Sequence, residues 1–376
     1  MVLHVSQLID LEKIAAEAAT AEPEWITSTG PVRLLYYEAQ PFEGRPTKVF
    51  AYLAVPERGC APFPAVVLVH GGGGRAFPEW ATMWAQRGYV ALAMDLAGCG
   101  PVGSPHEFAG PGQDDAAKFY GLVGGVEQTW MYHAVADVLH GAGVLATRPE
   151  VDPEQIAVVG ISWGAHVAEL AVALDPRPKA AVFVYGCGFI RDNPTWSPVL
   201  DALPSELADR WVTEFDASRY IPRLSIPTLW ITGAKDAFYS LDRFQRSHRL
   251  LGAPRDLRVT PDFQHSHADG WSPLEICTFL DAHLAAGTPL PSIDQARADG
   301  EALVASVRGP LPISVALLHS TTDEVAWSQR SWLSAPAELD GATVRGLVPE
   351  RTTACLLTVE DIRGVVVSSE YVEFAT

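Results

Sequence analysis

Solid apolar runs alternate with helix-spaced stretches through the first three quarters of the chain. Residues 65–69, 90–94, 156–161, 180–185 and 228–232 are short aliphatic and β-branched runs with few polar positions. That is the pattern of strands buried on both faces. Between them, 79–87, 126–146, 163–173, 241–251 and 272–284 carry apolar residues at helical spacing, and 257–260 adds a short strand. Ahead of the first buried run, 32–37 and 48–55 alternate apolar and polar residues around Phe42-Glu43-Gly44-Arg45-Pro46, predicting an antiparallel pair. Strands and helices in this alternation predict an α/β fold: a mostly parallel sheet, helices on both faces and an antiparallel leading edge. Residues 1–19 read as an amphipathic helix within an N-terminal helical segment, 1–30.

Two stretches break the rhythm. Residues 97–125 form a long Gly/Pro-rich loop, and 187–222 set Trp196, Trp211 and Phe215 among prolines and acids. Loops of that length inside a compact domain are commonly functional, so both are expected to be cap-like insertions walling a pocket. Trp130, Trp163, Trp196 and Trp211 are candidates for its lining, each with a plain core role as the alternative. Near 287–300, Gly287-Thr288-Pro289-Leu290-Pro291 reads as a linker. Beyond it come only short β-like runs, at 303–307, 313–318, 343–347, 355–359 and 365–374, with a hairpin tip over 321–331. The expected organisation is therefore the N-terminal segment, a catalytic domain over 31–288, and a small all-β sandwich over 300–376.

Composition narrows the class. A chain of 376 residues with 48% hydrophobic and 19% charged residues has ample material for a packed core. A net charge of −18 argues against nucleic acid or an anionic membrane as partner, since both demand basic patches. No apolar stretch reaches the roughly 18 residues of a membrane span. Asp10, Glu12 and Glu17 interrupt the first helix where a secretory leader would be apolar. Five scattered cysteines without a C-x-x-C pair suit a reduced compartment. The expectation is a cytoplasmic protein without cofactor or metal; a homo-oligomer is compatible with all of this.

Candidate chemistry centres on Gly160-Ile161-Ser162-Trp163-Gly164, a G-x-S-x-G sequence at a strand-to-helix junction. Such a turn lifts a serine above the sheet over a helix N-terminus, whose free N–H groups favour negative charge. Glycines at both ends let strand and helix approach. A serine hydroxyl needs a base, and the base an orienting carboxylate. In an open α/β sheet these come from loops beyond later strands. Asp236 follows the strand ending at 232, and His265 and His267 follow the strand ending at 260. Both histidines remain open as the base on this reading, and Asp262 lies too close to them to be the partner. His70-Gly71-Gly72-Gly73-Gly74 ends an earlier strand. Its amides can supply an oxyanion hole: Gly72 or Gly73, together with the N–H of Trp163. No Gly-Lys-Ser/Thr follows, which excludes a P-loop. The G-x-G-x-x-G match at 98–103 contains Pro101 and opens no helix, so it is discounted.

Over about 32–286 these segments resemble the α/β-hydrolase superfamily, in its dienelactone hydrolase, acetyl xylan esterase and prolyl-oligopeptidase-like branch. The resemblance rests on the glycine run, the serine turn, Gly233-Ala234-Lys235-Asp236, the run from His265 to Trp271, and Pro149-Glu150-Val151-Asp152-Pro153 before the serine strand. It implies a Ser162, Asp236, His265 triad in the chain order of that fold. It also favours His265 over His267, because the family's base is followed by a small residue and then an aromatic or a histidine. Serine rather than cysteine at 162 departs from many dienelactone hydrolases and points toward esterase or peptidase chemistry.

The resulting expectation is a serine hydrolase cleaving a carboxylic ester through an acyl-enzyme, with a small-molecule or carbohydrate ester as substrate. A small acyl group such as acetate is the family-weighted choice. A prolyl-oligopeptidase-like peptidase is the alternative; about 60 residues before the sheet core leave no room for a propeller. A non-catalytic binding protein would have no need of all three residues.

Overall fold

The computed structural model describes residues 13–15 and 22–374. Of the expected N-terminal helix only 13–15 fall within that range, and they are helical; the rest of it lies outside the described residues. Part of the 1–30 segment is not helical. Glu24–Thr27 is a strand, β1, pairing antiparallel with β2, Val32–Phe42. Trp25 opposite Leu35 and Tyr36 opposite Glu24 extend the sheet by one strand that the sequence pattern was too short to reveal.

β2 returns through Glu43-Gly44 into β3, Arg45–Ala54. Both turn residues have positive φ, 50° and 73°, as a two-residue hairpin matched to strand twist requires. Then follow β4 (Phe63–Val69), β5 (Val90–Met94), β6 (Val151–Ile161), β7 (Pro178–Val184), β8 (Thr228–Gly233) and β9 (Arg255–Thr260). They form one nine-stranded sheet in the order β1-β2-β3-β5-β4-β6-β7-β8-β9. From β5 to β9 every pairing is parallel; β1 to β3 and the β3–β5 junction are antiparallel. Val66, Val67, Leu68, Val159 and Val182 are fully or almost fully buried, which is why these strands read as unbroken apolar runs.

Helices cover both faces. Trp130–Ala146 and Trp163–Leu174 pack on one side, Pro78–Gln86 and Leu274–Leu284 on the other, each side with its own hydrophobic cluster. The two insertions are not plain loops. Residues 97–125 contain the helix Asp115–Phe119, and 187–222 contain the helices Ser197–Asp201 and Ser205–Phe215. They pack on one another, with Phe119 and Trp211 ring centroids 4.8 Å apart and the Trp211 indole N–H donating to the Lys118 carbonyl.

Beyond Leu274–Leu284 the regular elements among the described residues are β-strands, apart from one 3-10 turn at Trp327–Gln329. β10 (Ser292–Ile293), β11 (Arg297–Asp299), β12 (Ala302–Arg308), β13 (Ile313–Thr321) and β14 (Leu333–Pro336) come first. β15 (Glu338–Asp340), β16 (Thr343–Leu347), β17 (Ala354–Asp361), β18 (Val366–Ser368) and β19 (Val372–Glu373) follow. They form two antiparallel sheets, β10-β12-β16-β15 with β11 on β12, and β14-β13-β17-β18 with β19 on β17. Leu303, Ala305 and Val344 from one sheet bury against Leu318, Leu357 and Val359 from the other. The run 287–291 read as a linker carries no strand, and the two short strands β10 and β11 follow it. β16 alternates exposed and buried residues, as a strand with one face on the core does, whereas β17 is buried along almost its whole length.

Candidate active site

β6 ends at Ile161 and the next helix begins at Trp163, so Ser162 alone makes the turn. Its backbone sits at φ 57°, ψ −123°, a conformation non-glycine residues rarely hold. Close packing fixes it there. A Cβ on Gly160 would lie 2.5 Å from the Gly164 carbonyl oxygen, and one on Gly164 would lie 2.3 Å from the carbonyl oxygens of Val69 and His70. The helix therefore abuts β4 and β6 backbone to backbone, and both flanking positions must be glycine.

Three side chains from three strand ends converge on this turn. Asp236 follows β8; its Oδ1 accepts the backbone N–H groups of Phe238 and Tyr239, at 2.8 and 2.7 Å. That leaves Oδ2 for His265, whose Nδ1–H donates to it at 2.6 Å. A carboxylate can only accept, so Nδ1 carries the proton and Nε2 is the acceptor for the Ser162 hydroxyl, 2.9 Å away. Asp236 is buried and His265 partly so. The imidazole packs against Tyr185 and Phe238, with ring centroids 4.1 and 4.7 Å apart. The Tyr185 hydroxyl donates to the Ser266 carbonyl and anchors the histidine loop from below. Burial pushes the Tyr185 phenol well above its ordinary pKa, so it stays a neutral donor.

His267, the other candidate base, makes a different contact. Its Nε2 accepts the Gly71 N–H at 3.1 Å. Burial, reinforced by neighbouring His70, lowers it to about 4, so it is a neutral acceptor at ordinary pH. His70 is lowered to about 4 by burial as well, with Nε2 accepting the Leu96 N–H. The glycine run folds as a turn closed by the Gly74 N–H on the Gly71 carbonyl, with Gly73 at φ 68°. Gly71 lies against the serine: a Cβ there would be 2.8 Å from Ser162 Cβ. Gly72 lies against Trp163, where a Cβ would be 3.1 Å from indole Cδ1. Of the two glycine amides expected to face the reaction, that of Gly73 is already taken by Gln113 Oε1 at 3.2 Å. No hydrogen bond among the described residues engages the Gly72 N–H, and Trp163 opens a helix whose first N–H has no intrahelical acceptor.

The geometry is a serine hydroxyl, an imidazole and a carboxylate hydrogen-bonded in line, beside a turn with an unengaged amide. Comparison with known families decides the lineage. The acetyl xylan esterase family (AXE1) matches residues 6–193, half of the chain, including the glycine run and the serine turn. The chain belongs to this family. It is therefore an α/β-hydrolase, and its family is one of hydrolases. A second family, described as PhoPQ-activated pathogenicity-related protein, matches residues 197–326. Among curated relatives, an Escherichia coli K12 protein provisionally named carboxymethylenebutenolidase is 27% identical over 228 residues, 59% of this chain and 74% of that one. Acetyl esterase Axe7A of Xylanibacter ruminicola is 21% identical over 240 residues, covering 58% of this chain and 52% of its own length. Of solved structures, an acetyl xylan esterase from Paenibacillus sp. R4 superposes with a TM-score of 0.58 at 21% identity. That match covers 74% of this chain and 93% of the other. Acetyl xylan esterase 1 from Thermoanaerobacterium sp. JW/SL YS485 gives the same TM-score at 16% identity. At such identities the structural matches establish the fold.

Several contributors to the site carried no sequence signal. Gln113 sits in a Gly/Pro-rich stretch without periodicity; Tyr185 follows β7 and is distinguished only by its position at a strand end. The four tryptophans expected near the pocket are all buried, with Trp163 packed on Trp130 and Trp196 at 6.2 and 4.8 Å. Among the described residues no cluster of three or more His, Cys, Asp or Glu side chains is arranged to hold a metal, and no helix is long and apolar enough to cross a membrane.

Proposed function

We propose that the protein is a serine carboxylic-ester hydrolase acting on small acyl groups, acetate first among them, carried on a sugar or another small alcohol. The observation that carries this is the unbroken hydrogen-bond line from Ser162 Oγ through His265 to Asp236, at 2.9 and 2.6 Å. Ser162 Oγ attacks the ester carbonyl while its proton passes to His265 Nε2, and Asp236 stabilises the imidazolium that forms. The amides of Trp163 and Gly72 receive the charge that develops on the carbonyl oxygen, each donor being worth about 2.7–4 kcal/mol in such sites. His265 then returns the proton to the leaving alkoxide, which departs as the alcohol. Water, activated by the same imidazole, hydrolyses the acyl-Ser162 ester and releases the acid. The acetyl preference is supported by the family and by the names of Axe7A and of the two acetyl xylan esterase structures.

The direct test is turnover of a chromogenic aryl acetate by wild type and Ser162→Ala. The variant should lose about 10⁴–10⁶-fold in kcat. A variant that retains wild-type turnover removes the proposed mechanism. Comparing acetate with butyrate and octanoate esters in the same assay reads the acyl preference; a rate that climbs with chain length contradicts it.

A further inference from the structure

Four consecutive glycines, 71 to 74, are the least ordered sequence a chain can use, because each glycine has wide backbone freedom to lose. Oxyanion stabilisation demands the opposite, since its benefit comes from dipoles fixed before charge appears. Order in this turn must come from outside it, and two side chains from separate segments supply it. From the 97–125 insertion, Gln113 Oε1 accepts the Gly73 N–H at 3.2 Å while its Nε2 donates to the Gly71 carbonyl at 3.4 Å. From the histidine loop, His267 Nε2 accepts the Gly71 N–H at 3.1 Å. The imidazole also fills the space beside Gly74, where a Cβ would lie 2.5 Å from His267 Nε2.

We infer that Gln113 and His267 are positioning residues of the oxyanion turn, clasping it from two sides so that the Gly72 N–H is the amide left for the substrate. The inference rests on the serine-hydrolase reading above and assigns roles that the triad does not include. Both clasps are themselves braced. Lys118 Nζ donates to the Gln113 carbonyl at 2.6 Å, and the Lys118 carbonyl is held by Trp211 of the second insertion. On the other side, the Tyr185 hydroxyl holds Ser266, next to His267. The clasp needs a histidine that accepts at Nε2 and so carries its proton on Nδ1. It also joins the insertion to the chemistry: displacing the segment around Gln113 releases the turn.

The test compares kcat, KM and inhibition for Gln113→Ala, His267→Ala and His267→Gln on an aryl acetate. The inhibitor is an aryl trifluoromethyl ketone, whose serine adduct places an oxyanion in the hole; the non-reacting ligand is the matching acetanilide. Misplacing a reacting geometry by about an ångström costs about 10²-fold. Gln113→Ala and His267→Ala should therefore lose about 10- to 100-fold in kcat and a parallel factor in ketone affinity, with acetanilide binding unchanged. His267→Gln, which offers an amide oxygen near the Nε2 position, should recover most of the loss. Values of kcat within threefold of wild type in both alanine variants overturn the inference. So does a fall in acetanilide affinity that matches the fall for the ketone, since that is damage to the fold and not to the hole. Failure of the underlying reading looks different: Ser162→Ala then stays active, whereas a mistaken clasp leaves Ser162→Ala inactive and the two alanine variants active.

Discussion

Two histidines two residues apart occupy the same loop, and their surroundings give them different partners. His265 meets a carboxylate at Nδ1 and a hydroxyl at Nε2; His267 meets a backbone amide and is lowered to about 4 by burial. Residue pattern alone left both open as the base, because strand spacing places the loop and not the direction of each ring. Asp236 was legible from its place after β8, but the two amides that hold its Oδ1 were not. With Oδ1 fixed, only Oδ2 is left to orient His265. Replacing Asp236 with Asn keeps the shape and removes the acceptor-only character that sets the tautomer. On our mechanism, Asp236→Asn lowers kcat by about 10³–10⁴-fold on an aryl acetate with KM little changed. A loss below tenfold would mean that the carboxylate does not serve the imidazole.

At the scale of elements, most of the sheet could be read from the chain, since strands buried on both faces are continuous apolar runs. β5 falls where the pattern puts it, at Val90–Met94, and β4 and β8 gain only one or two residues. The misses have a common cause. β1, β10, β11, β14 and β15 are only two to four residues long, and the insertion helices sit among glycines and prolines. Elements that short are ordered by tertiary contacts, which a local pattern does not contain. The serine turn is the opposite case: its two glycines declare a contact between helix and strand. Gly164→Ala would drive a methyl to 2.3 Å from two carbonyl oxygens of the β4 end. Overpacking of this sort costs about 1–3 kcal/mol. Thermal melting should register that loss, and kcat should fall with it because Ser162 is displaced. A Gly164→Ala protein as stable and active as wild type would contradict the backbone-to-backbone packing described here.

At the scale of the molecule, the terminal β layers close the exposed edge of the large sheet. The Val259 N–H of β9 donates to Ser368 Oγ at 2.8 Å, and Glu275 Oε1 accepts the Val366 N–H at 2.7 Å. Gln245 pairs with both backbone groups of Tyr371. An unpaired strand edge invites association; Ser368 caps part of this one, while the bonds from Glu275 and Gln245 tie the β layers to the neighbouring helices. Truncation at Gln245→Ala orphans two buried backbone groups, at a cost of roughly 2–4 kcal/mol in unfolding experiments. Turnover of the folded enzyme should be unaffected, because no catalytic group lies in that contact; a selective fall in kcat would mean that the β layers take part in the chemistry. The same layers give the protein an acid signature. Burial lowers His319 from 6.5 to about 4, between Ser334 and Thr358. Between those pH values the unfolded chain binds the extra proton, so stability rises with pH. As pH falls from 6.5 to 4, wild type should lose stability relative to His319→Gln by up to roughly 3 kcal/mol. Parallel melting curves across that window would refute the burial effect.

All of these expectations hang on one atom, Ser162 Oγ, acting as the nucleophile. Labelling with a fluorophosphonate ester, followed by mass spectrometry of the digested protein and an aryl acetate assay on the same sample, reads that atom directly. A single adduct is expected, on the peptide that contains Ser162, with activity falling in proportion to its occupancy. Complete labelling at Ser162 with full residual activity, or loss of activity with the adduct on another residue, would contradict it.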